Sequence, residues 1–368
     1  MSNDAKKVYI IAEIGVNHNG KISIAKKLIK IAKKSGADAV KFQTYNSDEL
    51  VIPTAKKSEY QLKHDKNDTQ LIMLKKYELS KDAHRNLLNY SNQIGIDFIS
   101  TPFDIKSLEF LIMDLKLKTI KISSTDVTNI PYLLEVGSTQ ANILISSGMS
   151  NLNDIAIALS ALCYGNKFKK NDLKYNFNSV KNKNFYKSNH KYLKSKVKLL
   201  HCTSQYPAPN NELNLNVLET YESFFNIPIG YSDHSNSLIT PIIAVSKGAS
   251  VLEVHITLDK NMNGPDHKAS LNPDEFKKYV ENVKNANIML GTNTKQITNS
   301  ENNNIKSARK SLVLSVDMKK GQIITMRNIT AKRPGNGIKP TDFYKYIGKK
   351  INKSLKTNHL LRDKDLIW

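Results

Sequence analysis

The sequence predicts an α/β protein: a (β/α)8 TIM-type barrel followed by a small β-rich C-terminal domain. Three observations predict it. Eight short apolar runs recur along the first 290 or so residues, segments with helical spacing separate them, and the pattern changes near residue 296. The runs are apolar throughout instead of alternating, which implies burial on both faces and therefore a parallel sheet. Eight strand and helix units over about that length fit a closed barrel. An open doubly wound sheet would carry a glycine-rich dinucleotide loop after its first strand, and "EIGVNHNG" lacks that spacing.

In chain order the strand candidates are 8–15, 38–44, 96–103, 119–124, 142–148, 197–204, 227–235 and 250–258. Residues 21–35 show the intervening pattern, with Ile24, Leu28, Ile31 and Ala32 at helical spacing, lysines opposite, and Gly36 as the stop. A catalytic barrel is expected over 1–293 and a polar linker over 294–308, where "TKQITNSENNN" falls. The domain at 309–368 has short β-type runs broken by glycine and proline, and its small size predicts docking on the barrel or on a partner.

Composition narrows the function. No apolar run approaches the roughly 18 residues of a membrane helix, and the N-terminus lacks a signal-peptide core, so a cytoplasmic protein is expected. Two cysteines, Cys163 and Cys202, are too few for a disulfide framework. The net charge of +22 raises nucleic-acid binding, but its distribution argues against it. Residues 166–194 hold nine lysines against one aspartate and read as a solvated insertion, and no nucleic-acid module accompanies them. The positive field is expected to attract anionic substrates.

Each apolar run ends in polar, reactive side chains: Glu13; Lys41 and Gln43; Thr101; Lys121 and Ser124; Ser146; Ser204 and Tyr206; Ser232, Asp233 and His234; His255. A barrel gathers all these ends on one rim, where active sites of this fold are built. Lys41 and Lys121 with Thr101, Ser124, Ser146 and Ser232 make a cation-plus-hydroxyl set suited to a phosphate monoester. A structural Lys–Glu pair inside the barrel is the competing reading for either lysine. His234 and His255 end consecutive strands and fit two imidazole ligands on one divalent cation, with Asp233, Glu253 and Asp266 nearby. The Gly-Pro turn of "NMNGPDHKAS" is expected to present Asp266 and His267 at the same rim.

Here the chain resembles the sialic acid synthase family almost end to end. "IAEIGVNHNG", "KFQT", "STPFD", "LHCTSQYPAP", "GYSDHS", "HITLDKNMNGPDHKAS" and "KRPGNGI" are similar to its signature blocks in order and spacing, and the tail resembles the antifreeze-like (SAF) domain of these synthases. An ice- or glycan-binding protein is the competing class, against which the filled catalytic positions stand. The resemblance implies condensation of phosphoenolpyruvate with N-acetylmannosamine and water to N-acetylneuraminate and phosphate. A 2,4-diacetamido-6-deoxy mannose giving N,N'-diacetyllegionaminate is the alternative. By position, phosphoenolpyruvate would contact Lys41, Thr101, Lys121, Ser124, Ser146 and Ser232, and His234 and His255 would hold Mn2+, with Mg2+ or Co2+ possible. Glu13, Gln43, Tyr206 and Asp266 would face the metal water and the acyclic sugar, with Glu13 or Asp126 as base. Arg333 would reach a neighbouring barrel in a domain-swapped homodimer to contact the N-acetyl group. The chain has Asp126 where many members carry Glu, and Ser204 where many sialic acid synthases carry Asn.

Overall fold

The computed structural model of the chain describes residues 7–57, 69–168 and 185–367. It divides into two compact units, Met1–Gly291 and Thr292–Trp368.

The first unit is a closed barrel of eight parallel strands in sequence order. They are β1 (Tyr9–Gly15), β2 (Ala39–Thr44), β3 (Asp97–Pro102), β4 (Thr119–Ile122), β5 (Asn142–Ser146), β6 (Val197–Cys202), β7 (Ile229–Asp233) and β8 (Val251–His255). Each is apolar on its outer face, where the surrounding helices pack, and side chains alternate inward. The innermost layer is apolar: Ile11, Ala39, Ile99, Leu144, Leu200 and Val251 fill the barrel. Outside it, Leu28 and Ile29 of helix Ile22–Ser35 are fully buried, and Gly36 ends that helix in the left-handed region, φ 90°. Helices Ile130–Ser138 and Leu152–Lys167 approach backbone to backbone. A Cβ on Gly137 would stand 2.3 Å from the Leu162 carbonyl oxygen, and one on Gly165 would stand 2.0 Å from that of Leu134, so only glycine permits the crossing.

Two expectations are corrected. The solvated insertion at 166–194 lies partly outside the described residues, at 169–184, but its end is not solvated. Tyr186 and Leu193, in helices Phe185–Ser188 and His190–Lys196, are buried in the barrel's main core. The aromatic and leucine side chains among the lysines supply enough apolar area to dock this end. The linker at 294–308 contains a helix, Asn299–Ala308, started by Thr298, whose side chain accepts from Glu301 N while the Glu301 carboxylate accepts from Thr298 N. That capping box stands in the sequence as T-N-S-E.

The second unit pairs β9 (Ser311–Leu314) with β10 (Ile329–Lys332), and β11 (Lys350–Ile351) with β12 (Leu366–Ile367), both antiparallel. Its own core includes Leu312, Leu314, Ile324, Ile351 and Leu361. Among the described residues no helix is long and apolar enough to cross a membrane.

Candidate active site

The site follows from the two-residue period of the strands. Two positions beyond the apolar layer, each inward side chain becomes reactive: Glu13, Lys41, Thr101, Ser146, Cys202 and Glu253. Two positions further lie Gln43, Ser204 and His255. In register, Glu13 stands between Lys41 of β2 and His255 of β8, and Ser232 stands beside Glu253. These layers open into a cavity of about 520 Å3 at the C-terminal end of the strands.

Of the residues expected at the site, Glu13, Lys41, Gln43, Thr101, Lys121, Ser124, Ser146, Ser204, Tyr206, Ser232, His234, His255 and Asp266 line this cavity. Asp126 does not. It sits in the short helical turn after β4, where its carboxylate accepts from Asn129 Nδ2 (3.0 Å) and Thr125 Oγ1 (3.4 Å), and Thr125 faces the cavity in its place. Asp233 also turns away, accepting from the Ser235 amide (2.9 Å) and the Thr240 hydroxyl (2.5 Å). His267 is fully buried against Thr257 Oγ1 (2.7 Å) and Asn19 Oδ1 (3.1 Å), so the turn delivers Asp266 without it. Arg333 belongs to the second unit, where it is exposed and donates from Nε to the Ala308 carbonyl (3.0 Å).

The structure shows the lysines in Lys–Glu pairs inside the barrel. Lys41 pairs with Glu13 (2.8 Å) and lies 3.7 Å from Glu253, while Lys121 donates to both Glu253 oxygens (2.9 and 3.0 Å). Ser232 Oγ also donates to Glu253 (3.0 Å), and Lys41 to Thr101 Oγ1 (3.1 Å). Glu253, expected beside the histidines, is therefore the shared counter-ion of the lysines. All four charged groups are buried, yet all line the cavity. The two carboxylates titrate apart. Burial and the Glu253 charge outweigh Lys41 and push Glu13 up to about 7, while the two lysines overcome burial and hold Glu253 down at about 2. With Glu13 protonated, two ammonium groups face one carboxylate and the quartet carries a positive charge. Burial pulls Lys121 below the ordinary lysine range, whereas the two carboxylates raise Lys41 despite its burial.

The cradle for an anion is completed by hydroxyls. Ser146 Oγ is buried without a hydrogen-bond partner among the described residues, and Ser124 Oγ accepts from the Gly148 amide (3.0 Å). A Cβ at Gly148 would stand 2.1 Å from Ser204 Oγ, so glycine keeps this corner open.

His234 and His255 meet beside it, ring centroids 5.4 Å apart, with Tyr206 packed 4.1 Å from His234 and 5.6 Å from His255. The Thr203 carbonyl accepts from His234 Nδ1 (2.8 Å), so in the neutral imidazole the lone pair would sit on Nε2. His255 Nδ1 is buried with no hydrogen-bond partner among the described residues, 3.8 Å from Asp266 Oδ2. Burial raises Asp266 to about 6 and drives His255 well below the imidazole range. Cys202, which the strand pattern did not flag, lies 3.6 Å from His234 Nδ1. Burial opposes charge on both, but their mutual attraction raises His234 to about 9 and lowers Cys202. Among the described residues no group of three or more His, Cys, Asp or Glu forms a ready-made metal shell. Two imidazoles with open positions suit Mn2+ or Co2+ better than oxygen-preferring Mg2+.

Buried lysines, an orphan hydroxyl and a histidine pair on the C-terminal rim of a parallel barrel define an enzyme site for an anionic substrate. The chain belongs to the NeuB family, which it matches over residues 28–295, and it matches the SAF domain over 309–367. It is 42% identical to the N,N'-diacetyllegionaminic acid synthase of Campylobacter jejuni, over 97% of this chain and 100% of that one. It is 35% identical to the N-acetylneuraminate-9-phosphate synthase of Homo sapiens, over 93% and 88% respectively. Among solved structures, the N-acetylneuraminic acid synthetase of Leptospira borgpetersenii superposes with a TM-score of 0.66 at 30% identity, covering 82% of this chain and 91% of that one. The chain is thus an acid synthase of this family, a barrel enzyme with an appended SAF domain.

Proposed function

We propose that the enzyme condenses phosphoenolpyruvate with the open-chain form of 2,4-diacetamido-6-deoxy mannose, releasing N,N'-diacetyllegionaminate and phosphate. The observation that carries the condensation is the joining of the Lys41–Lys121 anion cradle and the His234–His255 pair in one cavity. For the sugar, the 42% identity to a legionaminate synthase, against 35% to an N-acetylneuraminate-9-phosphate synthase, supports this acceptor over N-acetylmannosamine, the first reading of a sequence whose blocks resemble synthases of both kinds.

In the reaction, C3 of phosphoenolpyruvate attacks the sugar aldehyde carbon, water adds at C2 of the resulting cation, and the tetrahedral adduct expels phosphate by C–O cleavage. Lys41, Lys121, Thr101, Ser124, Ser146 and Ser232 hold the phosphate and carboxylate. His234 and His255 would hold a divalent ion, Mn2+ foremost, which when bound would supply Lewis-acid polarisation of the aldehyde. Glu13 is the base that takes the proton of the attacking water, since Asp126 lies outside the cavity wall and a carboxylate near pH 7 is matched to that task. Gln43, Tyr206 and Asp266 orient the acyclic sugar. Arg333, whose terminal nitrogens have no partner among the described residues, is proposed to reach the acetamido carbonyl of a sugar bound in the neighbouring barrel of a swapped homodimer. A cytoplasmic setting belongs to the same proposal.

Phosphate release by purified enzyme with phosphoenolpyruvate, Mn2+ and each sugar in turn tests this. Turnover is expected with the diacetamido sugar; activity with neither sugar would overturn the reading.

A further inference from the structure

The cavity has a second wall that the polar layers do not explain. Besides the charged groups, Tyr45, Leu50, Val51, Leu74, Phe103 and Met149 line the cavity with a largely apolar surface. The connection that follows β2 builds most of it, and that connection is pinned. Tyr45 Oη donates its hydrogen to the Leu74 carbonyl (3.1 Å), and the buried residue lines the cavity. Phe103 packs edge-on to the Tyr45 ring, centroids 6.2 Å apart. Glu78 accepts from the Ser47 amide (2.9 Å), and Lys75 pairs with Asp48 (2.8 Å), tying helix Gln70–Tyr77 to the short helix Ser47–Leu50. Among the described residues of that connection beyond Tyr45, one polar side chain lines the cavity. Gln70, half-buried on the first turn of its helix, lines the cavity with an amide that has no hydrogen-bond partner among the described residues.

We propose that this wall, with Gln70, determines acceptor choice: it accommodates the C6 methyl and the C4 acetamide of a 2,4-diacetamido-6-deoxy sugar and disfavours the hydroxyls that N-acetylmannosamine carries at both positions. The inference rests on the proposed condensation. Its physical basis is asymmetric. A C6 methyl against the apolar side chains gains by leaving water, whereas a C6 hydroxyl in its place loses its water partners against groups that offer it no hydrogen bond. The Gln70 amide can meet both the donor and the acceptor of the acetamide that the diacetamido sugar carries at C4.

The test is kcat/KM on both acceptors for wild type, Val51→Thr, Leu74→Gln and Gln70→Ala. Wild type is expected to favour the diacetamido sugar on the order of a hundredfold, the range that one or two pocket contacts supply. Val51→Thr keeps the shape and adds a hydroxyl, Leu74→Gln adds an amide, and each should cut the preference about tenfold. Gln70→Ala should lose a similar factor on the diacetamido sugar alone. The ratio of the two values does not depend on the folded fraction of a variant, so partial misfolding cannot mimic the result. A wild-type enzyme without preference, an unchanged ratio in all three variants, or equal losses on both acceptors overturns the wall's role and leaves the condensation standing. Wild-type turnover with neither sugar overturns both.

Discussion

Glu253→Gln removes one negative charge and almost no volume from the floor of the cavity. In the wild type that carboxylate is served by Lys121 at 2.9 and 3.0 Å, by Ser232 at 3.0 Å and by Lys41 at 3.7 Å, all buried. Breaking a buried pair by removing one partner costs about 3–5 kcal/mol, because the survivor keeps its desolvation penalty without its attraction. Lys121 has an escape: burial already lowers its pKa, so it can shed its proton, which places the cost near the lower figure, about 3 kcal/mol. At roughly 2–3 °C per kcal/mol for a unit of this size, the Tm should fall by about 6–9 °C. Lys121→Met should cost less, since Glu253 retains Lys41 and Ser232. The double variant should recover part of the loss, with a coupling energy above about 1.5 kcal/mol in denaturant unfolding at pH 7. Additive losses, with coupling under about 0.5 kcal/mol, would refute the shared counter-ion. The pH dependence gives an independent check. Glu253 is held at about 2 in the fold, below its unfolded value, so its stabilisation is present above about pH 4.5 and is lost as pH falls toward 2. The Gln variant should lack that acid limb.

Glu13 has the opposite sign. Its folded pKa near 7 lies above the unfolded value, so its contribution to stability is present below about pH 4.5 and fades as pH rises through 7. As the base it must be ionised, so kcat/KM should rise toward a plateau above pH 7, and an acid limb persisting in Glu13→Gln would exclude it. Chelator should abolish turnover, and His234→Ala or His255→Ala should weaken Mn2+ binding by calorimetry while far-UV dichroism stays that of the wild type; full activity in excess chelator would dismiss the metal. For Arg333, mixing His255→Ala and Arg333→Ala and allowing subunit exchange should restore about a quarter of wild-type sites, since half the dimers are mixed and each then has one intact site. No recovery after demonstrated exchange would rule out completion in trans.

The barrel was legible because its strands announce themselves chemically. Runs such as "VYIIAEIG" and "SVLEVHITL" are apolar on both faces except for one or two inward charges, and a charge inside such a run has few explanations. Strand ends in a parallel barrel share one rim by topology alone, so thirteen of the expected residues could be gathered on a cavity without knowledge of any contact. Partnership was not legible. Whether Glu253 serves His255 or Lys121 depends on which strands face each other across the barrel, and those residues are 132 positions apart in the second case. Asp126, Asp233 and His267 sit within a residue or two of cavity-lining positions, but local turns take up their side chains, with Asn129, Thr240 and Thr257 as the capturing groups. A turn's choice between capturing its own carboxylate and releasing it to a cavity is a balance of a few hydrogen bonds, each worth about 1 kcal/mol net. The apolar wall was missed for a related reason. Tyr45, Leu50 and Leu74 resemble ordinary core residues in sequence, and it is the tertiary contacts of the connection, the Tyr45–Leu74 hydrogen bond and the Lys75–Asp48 pair among them, that bring them to the cavity. The sequence by itself therefore determined the scaffold and the chemistry available on its rim, through local periodicity and the cost of burying charge. Tertiary structure decided which of those groups pair, which face the cavity and what surrounds the acceptor, because each is settled by contacts between segments far apart in the chain.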